Sequence, residues 1–168
     1  MKEIFERRSV RKYTEERVSE EAIEKLLRAA MRAPSAMNLQ PWEFVVVRNR
    51  ETLDNLSKVQ PYAKMLQQAA CAVVICGNTK RGKGGFWVQD CSAATQNLLL
   101  EAVHLGLGAV WLGLYPMEMR AREVQSILNL PEHIMPLNMI SIGHPAEQPQ
   151  PLDTFDPAKV HYEQWEKQ

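Results

Sequence analysis

The 168-residue sequence predicts one globular domain that combines α-helices with short β-strands. The length suits a single domain and leaves little room for a second one. Hydrophobic residues make up 45% of the chain and charged residues 24%, the balance of an ordinary globular protein with a substantial core. Apolar residues recur at helical spacing in some segments and form short β-branched runs in others, which predicts both kinds of element.

Five segments have the apolar spacing of helices. Ser19 can cap the first helix, and Pro34 ends it because the residue before a proline is pushed out of the helical region. The longest helix places Trp87, Cys91 and later apolar residues on one face and stops at Gly106. The predicted helices span residues 20–32, 51–59, 62–70, 85–106 and 117–129.

Four short runs have the composition of strands. Residues 43–48 (EFVVVR) are β-branched, and residues 71–77 (CAVVICG) are apolar without alternation, which indicates a strand covered on both faces. Residues 108–115 (GAVWLGLY) form another buried strand by this criterion, and residues 137–143 (LNMISIG) form the last. Trp42 and Trp111 are both expected to pack in the core.

The composition limits the partners and the compartment. Basic and acidic residues number 20 each, so the chain as a whole has no attraction for nucleic acid or an anionic membrane. The charged start from Lys2 predicts no signal peptide, and the longest apolar run, residues 69–76, is too short to span a bilayer. The three cysteines are expected to be buried, reduced thiols, which fits a cytoplasmic location. The four histidines lack ligand spacing, so no metal site is expected.

The composition changes after Gly143, where prolines punctuate a polar segment. We therefore divide the chain into a domain over residues 1–145 and a proline-rich extension over residues 146–168. Such a segment cannot pack on itself, yet Val160, Tyr162 and Trp165 are apolar side chains that need a partner surface.

A basic cluster near the start is a candidate binding site. Arg7, Arg8 and Arg11 lie within five residues, with Ser9 between them. Guanidinium groups match phosphate oxygens two at a time, so this set suits a phosphate dianion. A solvated basic helix end or a nonspecific polyanion patch would show the same cluster.

Four further motifs follow in order along the chain. They are PSAMNLQPWEF at 34–44, WVQDCSAATQNLLLEA at 87–102, GLGAVWLG at 106–113 and IGHPAE at 142–147. Together with ERRSVRKY at 6–13, they resemble the motifs of the FMN-dependent nitroreductase family, the short-chain NAD(P)H-dependent flavin oxidoreductases. The resemblance covers essentially the whole chain and specifies the family but not the substrate.

The resemblance implies an α+β fold with a central, mainly antiparallel sheet flanked by helices. It also implies an obligate homodimer with two FMN sites at the interface, in which the proline-rich extension wraps the partner subunit. The phosphate, ribityl chain and ring edge of FMN would be held by Arg7, Arg8, Ser9 and Arg11. The flavin of the other subunit would be reached by Pro34, Ser35, Asn38 and Gln40. The cofactor would lie against the backbone of Trp111, Leu112 and Gly113.

By the same resemblance, the chain is an enzyme that reduces a nitroaromatic, a quinone or another small electrophile with NADH or NADPH in a ping-pong reaction. No side chain is expected to be an obligatory acid or base, because the cofactor carries the hydride chemistry and solvent can supply protons. Two alternatives remain. One is reductive dehalogenation or another specialised flavin reaction, and the other is a flavin-binding protein without turnover.

One region departs from the family pattern. Short members often carry an arginine or lysine near the end of the proline-rich stretch as a further phosphate ligand. This chain has Gln150, Leu152 and Thr154 there. Either Lys159 replaces the missing ligand, or the N-terminal arginines suffice.

Overall fold

The computed structural model describes residues 2–82, 84–150 and 152–165. Its central sheet has four antiparallel strands in the order β1-β2-β4-β3. The strands are β1 (Trp42–Val47), β2 (Cys71–Asn78), β3 (Gly108–Gly113) and β4 (Ile134–Gly143). The helices are α1 (Lys2–Glu6), α2 (Glu20–Ala30), α3 (Arg50–Leu56), α4 (Phe86–His104) and α5 (Glu118–Ile127). This architecture confirms the expected α+β class with an antiparallel sheet.

Two hydrophobic clusters cover the two faces of the sheet. Successive residues of a strand point to opposite faces, and β2 supplies Val73 to one cluster and Val74 to the other. Helices α2 and α4 pack in the first cluster, and α3 and α5 pack in the second. Every residue of β2 from Cys71 to Gly77 is buried, which confirms a strand covered on both faces. Burying each large apolar side chain contributes about 1.5–3 kcal/mol to folding.

Local signals predicted the ends of several elements correctly. The Ser19 Oγ accepts a hydrogen bond from the Ala22 N–H at 3.1 Å, so Ser19 caps α2 as expected. Helix α4 ends at His104, and Gly106 follows with a positive φ of 70°. A residue without a side chain adopts that conformation readily, which explains why the chain turns there.

Two segments differ from the sequence-based expectation. Residues 62–70 do not form the predicted helix; they make turns and a short 3-10 helix, Lys64–Gln67. The Arg50 guanidinium donates to the carbonyls of Leu66 and Ala69, which removes the need for a further helical turn to satisfy them. Helix α1 was not predicted, because five residues are too few to show a period.

The three cysteines are buried and free, as expected. Burial raises the pKa of Cys71 to about 11 and the pKa values of Cys76 and Cys91 to about 12. These thiols therefore remain protonated and unreactive near neutral pH.

The proline-rich extension contains one short 3-10 helix, Pro157–Lys159, and its apolar side chains are exposed. The exposed fractions are 42% for Val160, 82% for Tyr162 and 78% for Trp165. Pro151 and residues 166–168 of the predicted extension lie outside the described residues. No helix among the described residues is long and apolar enough to cross a membrane.

Candidate functional site

The basic segment near the start is fixed against the sheet by main-chain hydrogen bonds. The Val10 N–H donates to the Ala109 carbonyl at 3.0 Å, and the Thr14 N–H donates to the His144 carbonyl at 2.9 Å. Ser9 forms an isolated parallel bridge with Ala109. The segment therefore runs beside the start of β3 and past the end of β4. Its position is fixed by hydrogen bonds between its own main chain and the main chain of these two regions.

Two glycines make room for this segment. Gly108 and Gly143 are paired across β3 and β4, and each faces a buried side chain of the segment. A Cβ added at Gly108 would lie 2.6 Å from Val10 Cγ1, and one added at Gly143 would lie 2.8 Å from the Tyr13 ring. The buried Tyr13 hydroxyl donates to the Val10 carbonyl at 2.8 Å. Burial raises the pKa of the Tyr13 phenol above its usual range, so it stays a donor.

The segment forms one wall of a cleft of about 920 Å³. This size lies within the usual range of small-molecule and cofactor sites. The lining includes all four residues that the sequence assigned to the phosphate end, namely Arg7, Arg8, Ser9 and Arg11. Apolar side chains from α1 and the start of the extension line it as well, namely Ile4, Phe5, Leu152 and Phe155. One cleft thus combines a cationic wall with apolar walls.

The charges of this cleft suit an anion. Within the described residues, none of Arg7, Arg8 and Arg11 forms an ion pair with a carboxylate. Arg11 Nη1 donates only to the Ser9 carbonyl, at 3.4 Å. Asp153 also lines the cleft, and its Oδ1 accepts from the Phe155 N–H at 3.0 Å. Three guanidiniums beside one hydroxyl match a terminal phosphate such as that of FMN.

Thr154 and Lys159, in the region that departs from the family pattern, differ in their position relative to the cleft. Thr154 lines the cleft. Lys159 is not among the described residues that line the cleft. Its Nζ lies 3.5 Å from Oδ2 of Asp156, the residue that caps the short 3-10 helix Pro157–Lys159. The Lys159 side chain is 79% exposed. Within a single chain, Thr154 therefore lies at the cleft, whereas Lys159 is not among the described residues that line it.

The second predicted group lies on a loop with an unusual backbone. Residues 34–40 contain three non-glycine residues with positive φ: Met37 at 53°, Asn38 at 54° and Gln40 at 47°. Each such residue costs on the order of 1–3 kcal/mol and persists only where its surroundings enforce it. The side chains of Pro34, Asn38 and Gln40 are exposed, and Ser35 is half-buried. Of the described cleft-lining residues, none comes from this loop.

Hydrogen bonds hold this loop in place. The Ser35 Oγ accepts from the Gln40 N–H at 3.0 Å, which closes the loop on itself. The Ala36 N–H donates to Asp90 Oδ1 at 2.9 Å, which ties the loop to α4. Asp90 belongs to the motif at 87–102 but was not predicted to hold this loop, although a carboxylate on the apolar face of a helix was a usable signal.

The third predicted group lies on β3, an edge strand of the sheet. Leu112 is buried, whereas Trp111 and Gly113 are exposed, and the Gly113 carbonyl accepts from Gln60 Nε2 at 3.2 Å. The expectation that Trp111 packs in the core is wrong for this chain, because its side chain is 36% exposed. No described element covers the Trp111 side chain fully. Trp42 is 7% exposed and packs in the core as expected.

In an antiparallel α+β domain, an arginine-lined cleft of this size is typical of proteins that bind a phosphorylated small molecule or cofactor. Comparison with known proteins specifies the class further. The sequence profile of the nitroreductase family matches residues 4–60 and 57–144. The chain therefore belongs to the nitroreductase family and is an oxidoreductase, which confirms the resemblance of its motifs.

Individual relatives agree over nearly the full chain. The "Putative NADH dehydrogenase/NAD(P)H nitroreductase" of Methanothermobacter thermautotrophicus is 49% identical over 163 residues, which cover 96% of this chain and 85% of that protein. A crystal structure of the same name from Parabacteroides distasonis shares 44% identity with a TM-score of 0.95, and covers 98% of this chain and 97% of that one. An "FMN-dependent Nitroreductase" from Clostridium difficile shares 31% identity with a TM-score of 0.92, and covers 98% and 100%.

Proposed function

We propose that this protein is an FMN-dependent oxidoreductase that uses NADH or NADPH to reduce nitroaromatics, quinones or related small electrophiles. The supporting observation is the cleft in which Ser9 meets three arginines that form no ion pair with any described residue. The structural relative from Clostridium difficile is named as FMN-dependent, and the relative from Methanothermobacter is named for NAD(P)H.

The N-terminal wall binds the phosphate end of the cofactor. Arg7, Arg8 and Arg11 supply forked donors, and the Ser9 hydroxyl supplies one more. Each charge-assisted hydrogen bond contributes about 1.5–3 kcal/mol when partly shielded from water. The main-chain bonds of Val10 and Thr14 hold the segment in place beforehand, so little ordering is required on binding.

The complete site is composite and forms in a homodimer. Within one chain, the loop at 34–40 contributes none of the described residues that line the cleft. In the complete site, a second copy of the chain therefore supplies this loop. The exposed Val160, Tyr162 and Trp165 support this assembly, because apolar side chains at this density are typical of a segment that packs on a partner. In this arrangement the extension wraps the neighbouring subunit.

FMN bound at this site would supply the hydride chemistry between NAD(P)H and the second substrate, in a ping-pong sequence. The exposed amides of Asn38 and Gln40 act as hydrogen-bond donors where negative charge develops on reduction. The backbone of Trp111, Leu112 and Gly113 forms an open surface on the edge strand for the cofactor. No side chain is required as an acid or base, since solvent can supply protons.

An anaerobic titration of the purified protein tests this proposal. The protein should be yellow, NADH or NADPH should bleach the bound flavin, and a nitroaromatic or quinone should restore the colour. A protein that binds flavin but is not bleached would be a flavin carrier and would contradict the proposed activity. A protein that purifies colourless and fails to bind added FMN would contradict the cofactor as well.

A further inference from the structure

Asp90 has a location that the proposed mechanism does not explain. It lies on α4 beside Cys91, within the part of the helix that packs in the core, and its side chain is 6% exposed. A carboxylate in such a place is unfavourable unless hydrogen bonds compensate for lost water. Asp90 Oδ1 accepts from the Ala36 N–H at 2.9 Å. Asp90 Oδ2 is buried and has no donor among the described residues. The carboxylate thus makes one hydrogen bond there, and that bond goes to the loop.

The loop at 34–40 requires an anchor of this kind. Its three positive-φ residues lie between two fixed points. At the start, the Ala36 N–H is held by Asp90 from α4. At the end, the Pro41 carbonyl accepts from the Asn78 N–H of β2 at 2.7 Å. The bond from Gln40 to the Ser35 Oγ stays within the loop and cannot fix it to the core.

We propose that Asp90 is a positioning residue that holds the 34–40 loop so that the amides of Asn38 and Gln40 face the cofactor site. Asp90 acts through the Ala36 N–H and does not touch the cofactor, because its side chain is buried beneath the loop. The part of this inference that concerns the cofactor rests on the proposed function. The part that concerns the anchor does not.

Four variants separate positioning from general stability. Asp90→Ala removes the acceptor. Asp90→Leu removes it while filling the apolar site, and so reports on the same loss if the alanine variant fails to fold. Asp90→Asn keeps an oxygen that can accept from the Ala36 N–H. Gln125→Ala is the matched control. Gln125 is a buried polar residue of α5, and its Nε2 donates a hydrogen bond to the Ile134 carbonyl at 2.9 Å, so this variant also removes one buried bond between a side chain and the backbone.

Amide hydrogen exchange followed by NMR in the flavin-free protein tests the anchor. Loss of the hydrogen bond to Asp90 Oδ1 should speed exchange of the Ala36 amide by about 10- to 100-fold in Asp90→Ala and Asp90→Leu. Asp90→Asn should restore most of the protection. Gln125→Ala should leave the Ala36 amide unchanged, even if it lowers the melting temperature.

The midpoint potential of bound FMN tests the consequence for the site. If the loop presents donors that favour the reduced ring, the potential should become more negative in Asp90→Ala and Asp90→Leu, and should return toward the unmutated value in Asp90→Asn. Gln125→Ala should leave the potential unchanged, because Gln125 bonds to the carbonyls of Glu132 and Ile134 and not to the 34–40 loop.

Each outcome is decisive. Unchanged exchange at Ala36 in both variants that lack the acceptor would overturn the anchor, as would equal acceleration in Gln125→Ala. Faster exchange with an unshifted potential would show that Asp90 holds the loop but does not position it for the cofactor, which overturns the inference. If none of the proteins binds FMN, the proposed function fails, while the exchange result still decides the anchor.

Discussion

Substituting Gly108 with alanine should displace the basic segment and so weaken cofactor binding. The added Cβ would lie 2.6 Å from Val10 Cγ1, about 0.8 Å closer than the 3.4 Å at which ordinary contact begins. Val10 cannot move freely, because its N–H is bonded to Ala109, the next residue of β3. Overpacking of this kind costs about 1–3 kcal/mol in folding free energy. The same shift moves Ser9 and Arg11, so FMN should bind about tenfold more weakly, the loss of one charge-assisted bond.

Urea unfolding and FMN fluorescence titration measure the two effects. Gly85→Ala is the control: Gly85 has a φ of −83°, and an added Cβ meets nothing within 4 Å. That change should alter stability by less than about 1 kcal/mol and leave FMN binding intact. Val10→Ala should relieve the clash, so Gly108→Ala should cost little in a Val10→Ala background.

Two results would refute this account of the segment. Gly108→Ala could bind FMN as tightly as the unmutated protein, in which case contact with the sheet does not set the arginine positions. Alternatively, the losses from Gly108→Ala and Val10→Ala could simply add, in which case the two residues do not share a contact of the predicted kind.

Three further predictions concern the charges and thiols. Arg11→Ala should weaken FMN binding about tenfold or more and reduce the dependence of binding on salt concentration, whereas Lys12→Ala should do neither. Equal affinity of the unmutated protein for riboflavin and FMN would contradict a phosphate site. Thr154→Arg should tighten FMN binding about fivefold, since an exposed ion pair contributes up to about 1 kcal/mol, and Lys159→Ala should have no effect in equilibrium dialysis. The raised pKa values of the buried cysteines mean that the unfolded chain ionises first. Urea-measured stability should therefore fall as the pH rises from about 9 to about 12. Replacing the three cysteines with serine should make this fall smaller, with a remainder from the buried Tyr13 phenol, and an unchanged fall would contradict the contribution of the thiols.

The sequence predicted most of the fold because the strong patterns reflect burial. Helix α4 and strand β2 lie between packed layers, so their apolar residues repeat or run without interruption. The signal failed at residues 62–70, where Arg50 from another element satisfies the carbonyls of a short segment. Helix α1 is too short to form alone. It packs on α4, where Glu3 Oε1 lies 3.1 Å from His104 Nδ1.

The sequence predicted the parts of the candidate site whose residues are close together in the chain, but not the contacts between distant residues. The arginine cluster is local, and its residue types together with the other motifs indicate a phosphate site. The opposite wall comes from Leu152 and Phe155, more than 140 positions along the chain, and only the return of the chain past β4 brings it near. Asp90 likewise acts on Ala36, 54 positions away, so its role required the packed structure.

The composite dimer is tested most directly by complementation between two damaged chains. Arg11→Ala in one chain and Asn38→Ala in another should each give homodimers with two impaired sites. In an isolated heterodimer, one site collects both substitutions and the other collects neither. Flavin binding and NAD(P)H-dependent turnover should therefore recover to about half of the unmutated dimer. Heterodimers that show no intact site would place Arg11 and Asn38 on the same flavin from the same chain, and the composite site would be wrong.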